Sequence, residues 1–398
     1  MSATPTSVPT ATASAPRLRA LDVLRGATIA GMILVNNPGS WSHIYAPLRH
    51  AKWHGCTPTD LVFPFFLFMV GVSIPLALGR RIEAAGDAAA RAQAKRALVP
   101  KILRRGLVLF ALGLLLAGFP KFELETIRIL GVLQRIALCY VAASLLYLFT
   151  RPRTQAFVLA VCLFVYWPLL VLTPLPGGVA PDIGTTGQHI AAWLDRAALG
   201  KHVWRGGDYD PEGLLSTIPA LATALFGVFA GTVLRRGASG TAAAAVSAST
   251  ARTLAIAGAA LALLGWLWGQ VFPINKPLWT SSYAVFTGGL AMLALGATLA
   301  ALDVGEDSRW RRRVARPFTV FGVNAILVFV GSGLLGRCVG RLWKLDDGRT
   351  AQQAFYAWLE GSAALSPVQA SLVYALVWLG LWYAVLEVLY RRRLVWKV

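Results

Sequence analysis

Acidic residues are scarce in this chain. Its 398 residues hold 18 Asp and Glu against 38 Lys and Arg, a formal net charge of +20. Charged residues of both signs make up only 14% of the total, and hydrophobic residues make up 56%. Soluble domains carry about a quarter charged residues, so an ordinary water-soluble globule is excluded. Cysteine is sparse too. Cys56, Cys139, Cys162 and Cys338 form no CxxC pair and no Cys/His spacing of a zinc site, so no metal is expected. Cys139 and Cys162 lie inside apolar runs and read as small packing residues. Cys56 and Cys338 fall near one membrane face, where unpaired thiols fit better than a disulfide. The chain also lacks a basic segment ahead of an N-terminal apolar core. Its Ala/Thr/Ser/Pro-rich tail over 1–16 therefore reads as disordered and not as a cleaved signal peptide.

What the chain has in abundance is long apolar runs. Runs of about 20 residues can each cross a bilayer core as a helix. Ten spans are expected, over 20–37, 60–79, 102–119, 129–149, 156–173, 214–234, 253–272, 281–302, 317–336 and 368–389. The fold class is all-α: a polytopic membrane protein with one domain over 17–398. The first span is the weakest, with Asp22 and Arg25 near its start.

Basic residues alternate between loop sets. The loops 1–26, 79–105, 150–155, 235–252, 303–316 and 390–398 carry 25 Lys and Arg; the longer opposite set carries 12. The positive-inside rule then puts both termini in the cytoplasm. The excess positive charge thus encodes topology and attraction to anionic lipid, and nucleic acid is not an expected partner. All five histidines and the longest loop, 173–213, fall on the outer side. The linker "GASGTAAAAVSAST" is low-complexity. No internal repeat is evident, so the inverted-repeat design of many transporters is not supported.

Polar groups collect at particular places. In "CTPTDLVFPFFLF", Thr57 fits an N-cap, Pro58 the first helical position and Asp60 the third. Asp60 either simply caps the span or also orients a nearby histidine as a base. His50 and His54 are four residues apart, but no HExxH pattern is present, and Gly55 and Pro58 oppose the stable helix a zinc pair needs. Asn36 and Asn37 end the first span, where they can cap a helix or donate to an oxyanion. Asp208, Asp210 and Glu212 either suit an amine or polyol ligand or begin a helix at Asp210-Pro211-Glu212. Arg135, with Gln134 beside it, lies inside a span. A charge at that depth costs about 2.5–3.5 kcal/mol on insertion scales, so pairing with Asp60 or Glu212, or an anionic ligand group, is expected. Asn275, Lys276 and Trp279 form one polar island. Asn324, inside a span, forms another and reads alone as interhelical glue.

Taken in order, "RLRALDVLRG", "LVNNPG", "RHAKWHGCTPTDLVFPFFLF", "RILGVLQRIALCY", "YDPEGLLSTIPA", "INKPLWTSSYAVFTGG" and "FGVNAILVFVGS" resemble the catalytic core of the heparan-α-glucosaminide N-acetyltransferase family. The matches run from about residue 17 to 332; the large lumenal N-terminal portion of the animal enzyme has no counterpart among them. The resemblance implies transfer of an acetyl group from cytoplasmic acetyl-CoA to an amine across the membrane. The family's active-site histidine, in a KHASWNG-like context, falls on His50, and its asparagine near the end of the preceding span falls on Asn36. His54 stands where that motif has Asn and reads as a bystander. Asp60 would orient His50. Arg135, Gln134, Asp210, Glu212, Asn275, Lys276, Trp279 and Asn324 would line the substrate and donor site. The expected setting is a bacterial inner membrane, with an amino sugar or envelope glycan as acceptor and a homodimer compatible. Two other readings remain: a small-sugar permease, and a non-catalytic envelope assembly component.

Overall fold

The computed structural model describes residues 18–237, 246–305, 308–362 and 365–396; the tail over 1–16 and part of the low-complexity linker lie outside these. The helices, in chain order, are α1 (Arg19–Asn36), α2 (Val62–Ile74), α3 (Arg80–Glu83), α4 (Ala88–Gly118) and α5 (Val132–Phe149). They continue with α6 (Pro152–Phe164), α7 (Tyr166–Leu172), α8 (Ile190–Leu199), α9 (Thr217–Gly237) and α10 (Ala248–Trp268). The last five are α11 (Ser281–Leu302), α12 (Arg309–Val323), α13 (Ala325–Arg337), α14 (Ala351–Ser362) and α15 (Pro367–Arg391). Among the described residues there is no β-strand, only isolated bridges at Leu175–Val179 and Lys344–Thr350. The chain is an all-α, polytopic membrane protein.

Eight helical stretches among the described residues are long and apolar enough to cross a bilayer: Pro58–Glu83, Val132–Phe149, Pro152–Leu172, Thr217–Gly237, Ala248–Trp268, Ser281–Leu302, Ala325–Leu342 and Pro367–Arg391. Each overlaps an expected span. The other two expected spans are helical as well, as α1 and the second half of α4. Their charges set them apart: Asp22 and Arg25 in α1, and Lys101, Arg104 and Arg105 in α4.

One expected span is corrected. The run 317–336 is not continuous, because Asn324 leaves helical geometry at φ −116° and ψ 39° and divides α12 from α13. The membrane-length stretch therefore begins at Ala325. Ahead of it, α12 is amphipathic: it buries Ala315, Val320, Phe321 and Gly322, and its arginines populate the other side.

Small residues set the helix spacing. A Cβ added to Gly71 of α2 would lie 2.0 Å from the Ala224 carbonyl oxygen of α9, and one on Gly227 would lie 2.0 Å from the Phe68 oxygen. Gly231 meets the Val72 oxygen at 2.4 Å in the same way, so Gly227-x-x-x-Gly231 is a backbone-to-backbone seam. A second seam joins α10 to α11, where Gly258 and Gly289 each leave only 2.2 Å to a facing backbone nitrogen. The first seam matters most for the site. It locks α2, which follows directly on Asp60, to α9, which follows on Glu212.

Candidate active site

The site grows from a helix start. Thr57 is the N-cap and Pro58 the first residue of a 3-10 turn over Pro58–Leu61, as the local sequence predicts. Asp60 Oδ2 turns back and accepts the backbone N–H groups of Thr57 and Ala51, each at 3.0 Å. The loop before it is pinned at separate points. Thr57 Oγ1 donates to the Arg49 oxygen (2.7 Å), Gly55 N–H to the Ile274 oxygen (2.7 Å), and Trp53 Nε1 to the Ile183 oxygen (2.8 Å). Tyr283 of α11 donates its hydroxyl to the Asp60 backbone oxygen at 2.6 Å.

These restraints hold Asp60 Oδ1 2.6 Å from His50 Nδ1. Lys276 Nζ completes a triangle, 3.1 Å from His50 Nδ1 and 3.4 Å from Asp60 Oδ1. An ammonium has no acceptor, so Lys276 and a protonated Nδ1 cannot bond one another. The shorter, charge-assisted contact decides the arrangement: Nδ1–H donates to Asp60, and Lys276 acts as a cation on the same carboxylate. Nε2 then carries the lone pair. Burial lowers the Lys276 pKa, against the pull of Asp60 and Glu212. The carboxylate is 1% exposed and the imidazole 48%, so a fixed anion orients an accessible base.

A cavity of about 430 Å³ opens beside this triad and runs inward between α1, α2, α5 and α13. His50, Asp60, Lys276 and Asn36 line one part of it, and Glu212 with Arg128 another. Ile29, Phe66, Ile136 and Phe329 make its deeper, apolar wall. The two asparagines that end α1 divide their roles. Asn37 is the C-cap and donates Nδ2–H to the Ile33 oxygen at 2.8 Å. Asn36, whose amide has no hydrogen bond among the described residues, faces the cavity.

The acidic loop reaches the same cavity by a partner the sequence did not reveal. Arg128 Nε donates to Asp210 at 2.9 Å, and its Nη2 bonds both Asp210 and Glu212. Burial alone would raise the Glu212 pKa, but the Arg128 guanidinium overrides it and holds the carboxyl below its usual range. Tyr209 and Trp204 flank this pair in the cavity wall. Behind the loop, Asp195 of α8 accepts the Leu214 N–H at 2.8 Å, and burial pushes its carboxyl up to about 6. Asp210-Pro211-Glu212 does not begin a helix, since α9 starts at Thr217.

The remaining expected site residues separate. Arg135 pairs with neither Asp60 nor Glu212. It donates Nη2–H to the Gly213 oxygen and the Ser216 hydroxyl, and its guanidinium lies 5.2 Å over the Trp279 ring. The ring quadrupole takes over part of the work expected of a carboxylate. Its Nε and Nη1 have no hydrogen-bond partner among the described residues. Trp279 is buried, with Nε1 donating to Thr223 Oγ1 at 3.1 Å, and supports the site from beneath. Gln134 packs where a Cβ on Gly113 of α4 would stand, outside the cavity lining. Asn275 shapes the Lys276 turn: its Oδ1 accepts Leu278 N–H at 2.8 Å and its amide reaches His54 Nδ1 at 3.2 Å. His54 is accordingly a strut between loops. Asn324 ties down the segment after α15, accepting Trp396 N–H at 2.8 Å and donating to the Leu394 oxygen at 3.1 Å. Among the described residues no group of three or more His, Cys, Asp or Glu could hold a metal ion, and all four cysteines are free.

Sequence reading missed Arg128 and Tyr283. Arg128 had a faint signal, as a lone arginine just before a span that is preceded by two acidic residues, Glu123 and Glu125. Tyr283 stood inside the quoted "INKPLWTSSY" stretch, but its bond to Asp60 spans 223 positions and left no local trace.

Comparison with known proteins gives a consistent answer. Residues 17–271 match the family model described as heparan-alpha-glucosaminide N-acetyltransferase, catalytic. The mouse protein of that name (Mus musculus) is 30% identical over 435 aligned positions, covering 97% of this chain and 61% of the relative. The human one (Homo sapiens) is 28% identical over 432, covering 96% and 60%. The chain thus spans about three fifths of the length of the curated relatives it matches. With most of its length inside that family model, and with His50, Asp60 and Asn36 assembled on one cavity, the chain belongs to the heparan-alpha-glucosaminide N-acetyltransferase catalytic family.

Proposed function

We propose that the chain is a transmembrane N-acetyltransferase that moves an acetyl group from cytoplasmic acetyl-CoA to an amine on the far side of a bacterial inner membrane. The acceptor is an amino sugar or an envelope glycan. The observation that carries this reading is the 2.6 Å contact between His50 Nδ1 and a buried Asp60, on a cavity that continues into the helix bundle. The excess of Lys and Arg in one loop set supports cytoplasmic termini with the His50 end on the far side.

The chemistry follows from the geometry. With Nδ1–H bonded to Asp60, Nε2 takes a proton from the acceptor ammonium. The freed amine attacks the thioester carbonyl, a C–N bond forms, the C–S bond breaks, and the CoA thiolate leaves with the proton that the new amide nitrogen sheds, while the proton on Nε2 passes to water. Alternatively Nε2 attacks the carbonyl itself and the thiolate leaves; the acceptor, after losing its ammonium proton to water, then displaces the acetyl group from the imidazolium, and the new amide nitrogen sheds its second proton to the thiolate. In both routes negative charge builds on the carbonyl oxygen. The Asn36 amide is placed on the cavity to donate to it, a contribution of about 2.7–4 kcal/mol in known oxyanion holes. The carboxylate of Glu212 attracts the incoming ammonium.

The test is CoA release by purified protein given acetyl-CoA and glucosamine. Wild type turns over, and His50→Ala is inactive with an unchanged melting curve. Wild-type rates from His50→Ala would sink the mechanism. A silent wild type that instead carries glucosamine into proteoliposomes would favour the permease.

A further inference from the structure

Lys276 projects from a turn built to hold it. Asn275 N–H donates to Thr280 Oγ1 at 3.0 Å, and Trp279 N–H donates to the Lys276 oxygen at 3.0 Å. Trp279 sits in the left-handed region at φ 49°, a conformation that a bulky side chain rarely adopts. Its ring is clamped beneath the site by Phe63 at 4.9 Å, Tyr283 at 5.2 Å and the Arg135 guanidinium. Strained backbone persists where the surrounding structure over-determines it, and functional sites are its usual setting. Here it delivers one mostly buried ammonium, 3.4 Å from Asp60 Oδ1 and 3.1 Å from His50 Nδ1.

The second distance decides what that ammonium does. Asp60 already accepts Nδ1–H of His50 and two backbone N–H groups. Alone beside His50, its charge would draw a proton onto the imidazole, because an opposite charge in contact favours the charged form. An imidazolium has no lone pair, so it neither accepts a proton nor attacks a carbonyl. Lys276 reverses the balance. With Asp60 it makes a neutral pair, and a proton added to His50 then brings a second positive charge against the ammonium. The other ionisable groups nearby leave this balance in place. Asp60 and Glu212 pull toward the charged form of Lys276 against its burial. Arg128 is shared between Asp210 and Glu212. Burial and Asp60 keep Cys56 protonated, and Tyr283 spends its hydroxyl on the Asp60 backbone oxygen. His54 reaches the turn only through the Asn275 amide, and Lys52 and Tyr209 line the cavity without bonding the triad.

We propose that Lys276 is a positioning residue of the base: its ammonium neutralises Asp60 and keeps a second proton off His50, so that Asp60 orients the imidazole without charging it and Nε2 stays free. The consequence for rate rests on the acetyltransferase reading; the charge balance does not.

The test is labelling of the full chain in phosphatidylcholine nanodiscs by diethyl pyrocarbonate, which modifies neutral imidazole and spares imidazolium. Labelling at His50 is followed against pH by peptide mass spectrometry, in wild type, Lys276→Met, Lys276→Gln and Lys276→Arg. His43, which has no contact with Lys276, is the internal reference. In the Met and Gln variants the His50 midpoint rises by about one unit, the low end for a charge in contact because the imidazole is half exposed. Lys276→Arg labels like wild type, and the Gln variant carries the test if the Met variant does not fold. Equal midpoints in wild type and the neutral variants would overturn the proposal. So would a shift in Lys276→Arg as large as in Lys276→Met, since charge would then not be the cause. CoA release is the second arm. The acid limb of kcat/KM moves up with the labelling midpoint, so Lys276→Met loses about tenfold below the limb and recovers at higher pH. An equal loss at every pH would make Lys276 a structural or substrate contact and overturn the positioning role. A wild type that releases no CoA defeats the acetyltransferase reading, and the labelling arm still decides this one.

Discussion

Asp60→Asn tests the site at its most constrained atom pair. The carboxylate accepts His50 Nδ1–H and the Lys276 ammonium on Oδ1, and Ala51 N–H and Thr57 N–H on Oδ2. An amide offers one acceptor oxygen and one donor NH2. If the NH2 faces His50, it meets two donors and the imidazole loses its orientation. If it faces Ala51 and Thr57, two backbone N–H groups lose their acceptor and the helix start loosens. Either way the substitution removes at least two bonds to a charged group, at about 1.5–3 kcal/mol each. The first orientation keeps the loop intact, so the expected result is a folded protein whose kcat falls about 10²–10⁴-fold, the usual range for a general base. CoA release and a melting curve on the same preparation separate the two orientations: kcat falls in both, and the second, which also loosens the helix start, shows the larger fall in Tm. A variant with wild-type kcat and wild-type Tm would refute the role given to Asp60.

Arg128→Ala leaves Asp210 and Glu212 without their shared cation, and breaking a buried pair from one side costs about 3–5 kcal/mol. A large drop in Tm and a raised KM for the amine are expected, partly restored by Arg128→Lys. Asp195 gives a pH signature. Its carboxyl is raised from 3.8 to about 6, so its contribution to stability is fully present below about pH 4 and is lost as pH rises through about 6. Two units correspond to about 3 kcal/mol at this buried position. Denaturation of Asp195→Asn should lack that component, and an unchanged pH profile would rule the assignment out. Cys56, pushed up to about 12 by burial and the neighbouring Asp60, should resist alkylation at neutral pH, and rapid labelling of native protein would contradict this.

Local chemistry was legible in the sequence, and long-range pairing was not. Thr57, Pro58 and Asp60 announced a helix start because capping uses neighbours, and Asp60 turned out to serve both as cap and as His50's partner. Apolar run length marked the eight membrane-length stretches for the same reason. The expected span over 317–336 failed because window-averaged hydropathy hides a polar hinge: Phe318 and Val320 looked continuous with Ile326, and the break at Asn324 is fixed by bonds to residues 394 and 396. Arg135 misled in a more general way. Depth argued for a carboxylate partner, yet Glu212 is taken by Arg128, and Arg135 settles on an indole and a hydroxyl contributed from the loops just ahead of α11 and α9. Lys276 was picked out as polar, but nothing near it in sequence tells that it sits on His50, 226 positions earlier.

The glycine seam between α2 and α9 reaches beyond packing. One helix continues from the carboxylate that holds the His50 imidazole, and the other from the loop that carries Glu212. Contact at backbone distance makes the two helices a ruler, and the gap it measures sets how far Asp60 stands from Glu212 across the cavity. Gly71 lies about 16 Å below Asp60 at 1.5 Å per residue, far from any reacting atom. A methyl group added there, as in Gly71→Ala, acts as a wedge in the hydrocarbon, read out at the surface as a change in which amines fit.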